Sequence, residues 1–149
     1  ICGKYNIKNY TINSDGSIDV DDNVNLVKKN LKEIPLKFNK VSGYFDISFN
    51  IITSLEGSPR EVYSYFDCSS NLLTTLIGSP DKVHQYFYCT YNKLKSLEGM
   101  GIINDVIKYF LYHNPLESLD GYDGDLTHLN CHDKGKLVRK KKLKILEKC

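Results

Sequence analysis

Apolar residues along this chain recur in a fixed frame. The frame reads Phe45, Ile47, Asn50, Ile52, Leu55, Gly57, Pro59 and Val62. The same residue classes return 21 positions later at Phe66, Cys68, Asn71, Leu73, Leu76, Gly78, Pro80 and Val83. They return again at Phe87, Cys89, Asn92, Leu94, Leu97 and Gly99. Self-similarity at a period of about 20–50 residues marks an array of units that bury their apolar faces against one another. A weaker form continues upstream in Val24, Leu26, Leu31, Ile34 and Val41. Downstream the frame slips by one residue, to Tyr109, Leu111, Asn114, Leu116, Leu119 and Gly121, and a last strand fits Leu129, Cys131 and Leu137. The pattern therefore predicts about six coils. Lys29 and Lys134 stand where the inner coils have Asn, and terminal repeats are expected to be atypical because one side faces water.

Within a coil, Tyr65-Phe66-Asp67-Cys68-Ser69 alternates apolar and polar, the signature of a half-buried strand. Phe66 and Cys68 are expected to point inward, Asp67 and Ser69 outward. Asn71 follows the strand, where a buried amide can satisfy backbone groups that an apolar side chain would leave unpaired. Stacking predicts a ladder of Asn50, Asn71, Asn92 and Asn114. Gly78 and Pro80 fit a turn and an extended return path. A coil of this length has little room for a regular helix. The back wall is expected to be irregular or polyproline-like, with a helical turn at Ser58 to Tyr63 and another at Gly101 to Ile107.

These coils resemble the leucine-rich-repeat family over roughly Val24 to Leu137. The form F-x-C-x-x-N-x-L-x-x-L-x-G-x-P-x-x-V is similar to two subgroups: the short bacterial type of secreted effector proteins, and leucine-rich-repeat proteins of tailed bacteriophages. The opening segment Tyr10 to Val20, with Leu31 to Pro35 and Lys37 to Gly43, also looks like the phage group. The resemblance implies an α/β solenoid with a short curved parallel sheet whose concave face binds a protein. It implies no catalysis, and for a phage protein it implies a host protein as the partner to be bound or inhibited.

At 149 residues the chain reads as a single domain. Residues 1–23 form an N-terminal cap with a hairpin turn at Asn13 to Gly16, residues 24–133 the repeats, and residues 134–149 a basic C-terminal cap or tail. No apolar run approaches the roughly 18 residues that a membrane crossing needs, and no signal peptide is visible. Of the five cysteines, Cys68, Cys89 and Cys131 share one inward strand position and read as small core residues. Cys68 and Cys89 would be neighbours, but no C-x-x-C pair exists and no His shares their column, so zinc is not expected. Unpaired thiols suggest a reducing cytoplasm, the host's if the protein is viral. The net charge of +2 hides an asymmetry. Residues 134–149 carry eight Lys or Arg against one Glu, and the remainder is mildly acidic.

Outward strand positions fall into columns. One column runs Asn25, Asp46, Asp67, Tyr88, Phe110, Asn130; another Lys28, Phe49, Ser70, Tyr91, His113, Asp133. The candidate partner-binding group is Tyr86, Tyr88, Tyr91, Phe110, Tyr112 and His113, with Asp46 and Asp67 beside it. Grouped exposed aromatics are common at interface centres, and the competing reading is cross-strand stacking that only steadies the sheet. His113 and Asp133 fall in one column on adjacent coils and could pair. His128 and His132 would lie about 13 Å apart along a strand, too far to share an ion. No nucleophile stands in a defined relation to any of them, so no catalytic, cofactor or metal residue is assigned. The tail reads as a helix that covers the open end of the core. Its alternative reading is nucleic-acid binding through Arg139, Lys140, Lys141, Lys142 and Lys144. The expected function is a non-enzymatic protein-binding module, against the alternatives of a nucleic-acid binder or a self-associating structural component.

Overall fold

The computed structural model describes residues 1–100 and 103–148. In chain order its strands are β1 (Tyr10–Ile12), β2 (Ile18–Val20), β3 (Val24–Asn25), β4 (Phe38–Val41), β5 (Phe45–Asp46), β6 (Glu61–Val62), β7 (Phe66–Asp67), β8 (Lys82–Val83), β9 (Tyr86–Tyr88), β10 (Lys108–Phe110) and β11 (Leu129–Asn130), followed by helix α1 (Lys134–Leu146). The repeat winds these into a β-solenoid of about five turns. One sheet has six parallel strands in the order β3-β5-β7-β9-β10-β11. Its register follows the sequence frame: Phe45 stands opposite Phe66, Phe66 opposite Phe87 and Phe87 opposite Tyr109. The slip by one residue is thus absorbed between β9 and β10.

The back wall departs from the expectation of irregular backbone. It is a second sheet in the order β1-β2-β4-β6-β8, parallel except for the β1–β2 hairpin. The helical turn expected at Ser58 to Tyr63 is instead strand β6. The one expected at Gly101 to Ile107 begins on residues outside those described, and at Asn104 the chain makes a parallel bridge to Lys82. The physical reason lies in Val41, Val62 and Val83. These β-branched side chains recur once per coil and are fully buried, which suits a pleated strand better than a helical turn.

The core is a stack of rungs. Phe45, Phe66 and Phe87 are fully buried and stack at ring-centroid distances of 5.6 and 5.3 Å. Phe38 closes one end edge-on at 4.9 Å, and Tyr109 continues the other at 5.8 Å. Gly78 sits at φ +88°, and a Cβ there would stand 2.7 Å from the Leu55 carbonyl carbon. Gly57, Gly99 and Gly121 repeat that conformation at the same coil position. Only a residue without a side chain lets each turn lie this close on the one before.

The Asn ladder is present. The Asn71 side-chain NH2 donates to the carbonyls of Ile47, Cys68 and Ser69, at 3.0, 3.1 and 3.2 Å, and its oxygen accepts the Ile52 N–H at 2.9 Å. Asn50, Asn92 and Asn114 make the corresponding bonds in their own coils, except that Asn92 reaches the Cys89 sulfur in place of its carbonyl. Each amide thus ties its own turn to the preceding coil. The residue before each of these positions, Phe49, Ser70, Tyr91 and His113, is left-handed, as are Lys28 and Asp133 at the same place in the terminal coils; all six have φ between 53° and 57°. That conformation is uncommon for bulky side chains, and the buried amides of the ladder hold it in place.

At the N-terminus the hairpin turn falls where expected. Gly16 takes φ +79°, and Asp15 accepts the Ser17 N–H. At the other end α1 lies on the last coil with Leu137 in the core.

Candidate functional site

The outer face of the six-stranded sheet is built by backbone alternation. With Phe66 and Cys68 buried, Asp67 turns outward, and the parallel register places Asp46, Asp67 and Tyr88 on successive rungs. Tyr88 stacks on Phe110 at 4.9 Å, and Tyr86 meets the edges of both at 6.0 Å. Tyr91 stacks on His113 at 4.1 Å. Tyr112 and His113 both meet the His132 ring, at 5.2 and 4.8 Å. All six members of the candidate aromatic group therefore touch another ring. The Tyr88 rung also contacts Tyr65 at 6.0 Å, which itself stacks on Tyr44 at 4.9 Å. The aromatic surface thus extends further toward the N-terminus than the candidate group of six.

His113 does not pair with Asp133. Its ring is taken by Tyr91 and His132, and Asp133 instead stands at the start of α1, where its carbonyl accepts the Leu137 N–H.

Asp46 and Asp67 have a local task that the sequence reading missed. Asp46 accepts the Ser48 N–H at 2.9 Å, and Asp67 accepts the Ser69 N–H at 2.8 Å. Asn25 makes the same bond to the Val27 N–H one coil earlier. The recurrence of Asn or Asp two residues before a bonded N–H was the available signal. Burial, followed at a distance by the Asp46 charge, raises the Asp67 carboxyl above its ordinary value. Burial likewise pushes the Tyr65 hydroxyl up to about 12 and raises that of Tyr88. This face is thus an aromatic surface, half-buried at Tyr65 and Tyr88 and open at Tyr91, with two carboxylates set into it.

The second sheet carries a charged patch that sequence reasoning also missed. Glu61 lies between Lys40 at 3.6 Å and Lys82 at 3.9 Å, with the His84 ring nitrogen at 3.2 Å. His84 stacks on Tyr63 at 4.8 Å, and Lys82 bonds Asp105 at 3.1 Å. The alternation Lys40, Glu61, Lys82 at the coil period was the available signal. Hydrogen bonding to His84 and the two lysine charges lower the Glu61 carboxyl against its burial.

Cys68, Cys89 and Cys131 are buried and unbridged. The Cys68 thiol donates to the Tyr88 carbonyl at 3.3 Å, and the Asn92 amide reaches the Cys89 sulfur at 3.4 Å. Burial raises the thiol of Cys68. Among the described residues, no three or more His, Cys, Asp or Glu side chains converge as metal ligands would.

Four of the tail lysines bond the solenoid. Lys140 donates to the Glu117 carbonyl at 3.0 Å, Lys141 to those of Leu119 and Tyr122 at 3.4 and 2.5 Å, and Lys144 to the Asp120 carboxylate at 2.8 Å. The N-terminal lysine of the helix, Lys134, donates to the Leu129 carbonyl at 2.6 Å. Arg139 and Lys142 are exposed. Among the described residues no helix is long and apolar enough to cross a membrane.

Comparison with protein-family models, curated proteins and solved structures returned no match.

Proposed function

We propose that this chain is a non-enzymatic protein-binding module, built on coils of leucine-rich-repeat type, that presents the outer face of its six-stranded sheet to one protein partner. The observation that carries the reading is a pair of ring clusters on that face, Tyr86, Tyr88 and Phe110 in one and Tyr91, His113, His132 and Tyr112 in the other, with Tyr88 and Tyr91 lining one groove between them. Aromatic side chains offer large contact area at low entropic cost and are enriched where interfaces bury their centres. The leucine-rich-repeat assignment is supported by the Asn ladder and by the Leu and Gly positions of each coil. The resemblance to tailed-bacteriophage proteins makes a host protein the proposed partner, and the unbridged cysteines fit a reducing host cytoplasm.

Nucleic-acid binding through the tail is the weaker reading. Lys141 and Lys144 pair with Asp123 and Asp120 of the last coil, and Asp46 and Asp67 make the sheet face hostile to phosphate. The test is a tagged pull-down from a bacterial lysate with nuclease present. The variant Tyr88→Ser, Tyr91→Ser, Tyr112→Ser runs beside the wild type. A protein retained by the wild type alone is the expected result. Equal retention by the triple variant, or a signal lost on nuclease treatment, would overturn the reading.

A further inference from the structure

One rung of the outer face is empty. In the left-handed column, Lys28, Phe49, Tyr91 and His113 carry long or flat side chains, but Ser70 stands between Phe49 and Tyr91. The Lys28 ammonium lies over the Phe49 ring at 5.2 Å, and His113 covers Tyr91 at 4.1 Å. Each aromatic ring thus has one occupied face. Both rings are more than half exposed, 56% and 57%, and both line an open groove of about 490 Å³ together with Asp67, Ser69, Ser70, Tyr88 and Thr90.

The size of the gap follows from the solenoid. Phe49 and Tyr91 are two rungs apart, about 10 Å at the inter-strand spacing. A flat group seated over Ser70 would lie about 5 Å from each ring. The molecule's own rings stack at 5.3 and 5.6 Å in the core. The floor selects by charge. Asp67 lines the groove, and Asp46 stands on the adjacent rung. Asp67 binds the Ser69 N–H through one oxygen, and a carboxylate accepts further donors. A group that is planar, cationic and rich in donors matches such a site, and the arginine guanidinium is that group: it stacks on aromatic faces and pairs with carboxylates.

Resting on the reading of this face as a partner-binding surface, we propose that the Ser70 rung receives an arginine side chain of the protein partner, sandwiched between Phe49 and Tyr91 with Asp67 as its counter-charge. The groove also accounts for a carboxylate where an amide would serve the turn equally well, as Asn25 does in the first coil.

The test is an NMR titration with the capped tripeptide Gly-Arg-Gly, beside its citrulline analogue, which keeps the shape and removes the charge, and beside Gly-Phe-Gly. The arginine peptide is expected to shift the signals of Phe49, Ser70, Tyr88 and Tyr91, and to bind at least about tenfold more tightly than either control. Asp67→Asn is expected to weaken it by at least about tenfold, the lower end of what a close charge pair contributes. Ser70→Phe, which fills the rung, should abolish it. Phe49 and Tyr91 show that an aromatic residue is accepted at this left-handed position. Equal response to citrulline or phenylalanine, shifts scattered over other acidic surfaces, no response at millimolar peptide, or indifference to both variants would each overturn the proposal. Failure here is separable from failure of the face itself. If the tyrosine triple variant still loses its protein partner while the peptide does not bind, the face stands and the arginine slot falls.

Discussion

Single residues decide whether a coil can close. Asn71 satisfies three carbonyls and one N–H in the interior, and no solvent can replace it there. Asn71→Ala is expected to lower stability by about 2–4 kcal/mol, because several buried groups lose their partner at once. Urea unfolding checks this, and a loss under about 1 kcal/mol would show that the ladder is not what holds the turns. Gly78→Ala meets both a left-handed φ and the Leu55 backbone at 2.7 Å, so a loss of at least about 2 kcal/mol is expected. Asp67 has the opposite sign. Its carboxyl is raised in the folded state, so the folded chain holds that proton more tightly than the unfolded chain does. Stability from this group is fully present below the unfolded value and falls as pH rises to the folded one. Asp67→Asn is therefore expected to raise Tm at about pH 7 and to leave it unchanged at about pH 3. Unchanged Tm at neutral pH would mean that the carboxylate is well solvated.

Elements in this fold are short, and what makes them legible is repetition rather than length. Strands of two residues, such as β5 and β7, carry no periodicity of their own. The 21-residue frame nevertheless located β3, β5, β7 and β9, because Val24, Phe45, Phe66 and Phe87 recur with it, whereas β10 and β11 lie off the frame, at spacings of 22 and 20 residues. The second sheet stayed hidden for a physical reason. Glu61–Val62 and Lys82–Val83 are flanked by Ser, Pro and Gly, which read as turn residues, and one valine per coil is too sparse to announce a strand. The outer aromatic columns were legible from alternation. The bonds of Asp46 and Asp67 to the following turn, and the engagement of the His113 ring by Tyr91 and His132, are not visible in a pattern of apolar positions. Helix α1 was legible as an element, but its anchoring through Lys140, Lys141 and Lys144 was not, since a run of lysines looks the same whether it faces water or carbonyls. Lys141 donates to two carbonyls, so Lys141→Ala is expected to loosen the helix and cost about 1–2 kcal/mol. Faster amide exchange confined to α1 and the last coil would be its signature. Uniform exchange along the chain would mean that the helix is not held there.

Across the whole molecule, contacts run almost entirely between adjacent coils. Stability is then close to a sum of coil and interface contributions, and the ends are the weakest part. The slowest amide exchange is expected in the coils of Phe45, Phe66 and Phe87, whose side chains are fully buried. An equal rate at Tyr109 and Leu129 would show that the stack unfolds as one unit. The fixed rung spacing has a consequence for how such a molecule could change over generations. Removing residues 66–86 joins Tyr65 to Phe87 and leaves every surviving amide opposite an equivalent carbonyl. Such an excision subtracts one strand from each sheet and brings Phe49 and Tyr91 to neighbouring rungs, closing the gap at Ser70. Unequal exchange between near-identical stretches of the gene could therefore delete or insert a whole rung at a stroke, so that the width of a binding slot is inherited in whole numbers.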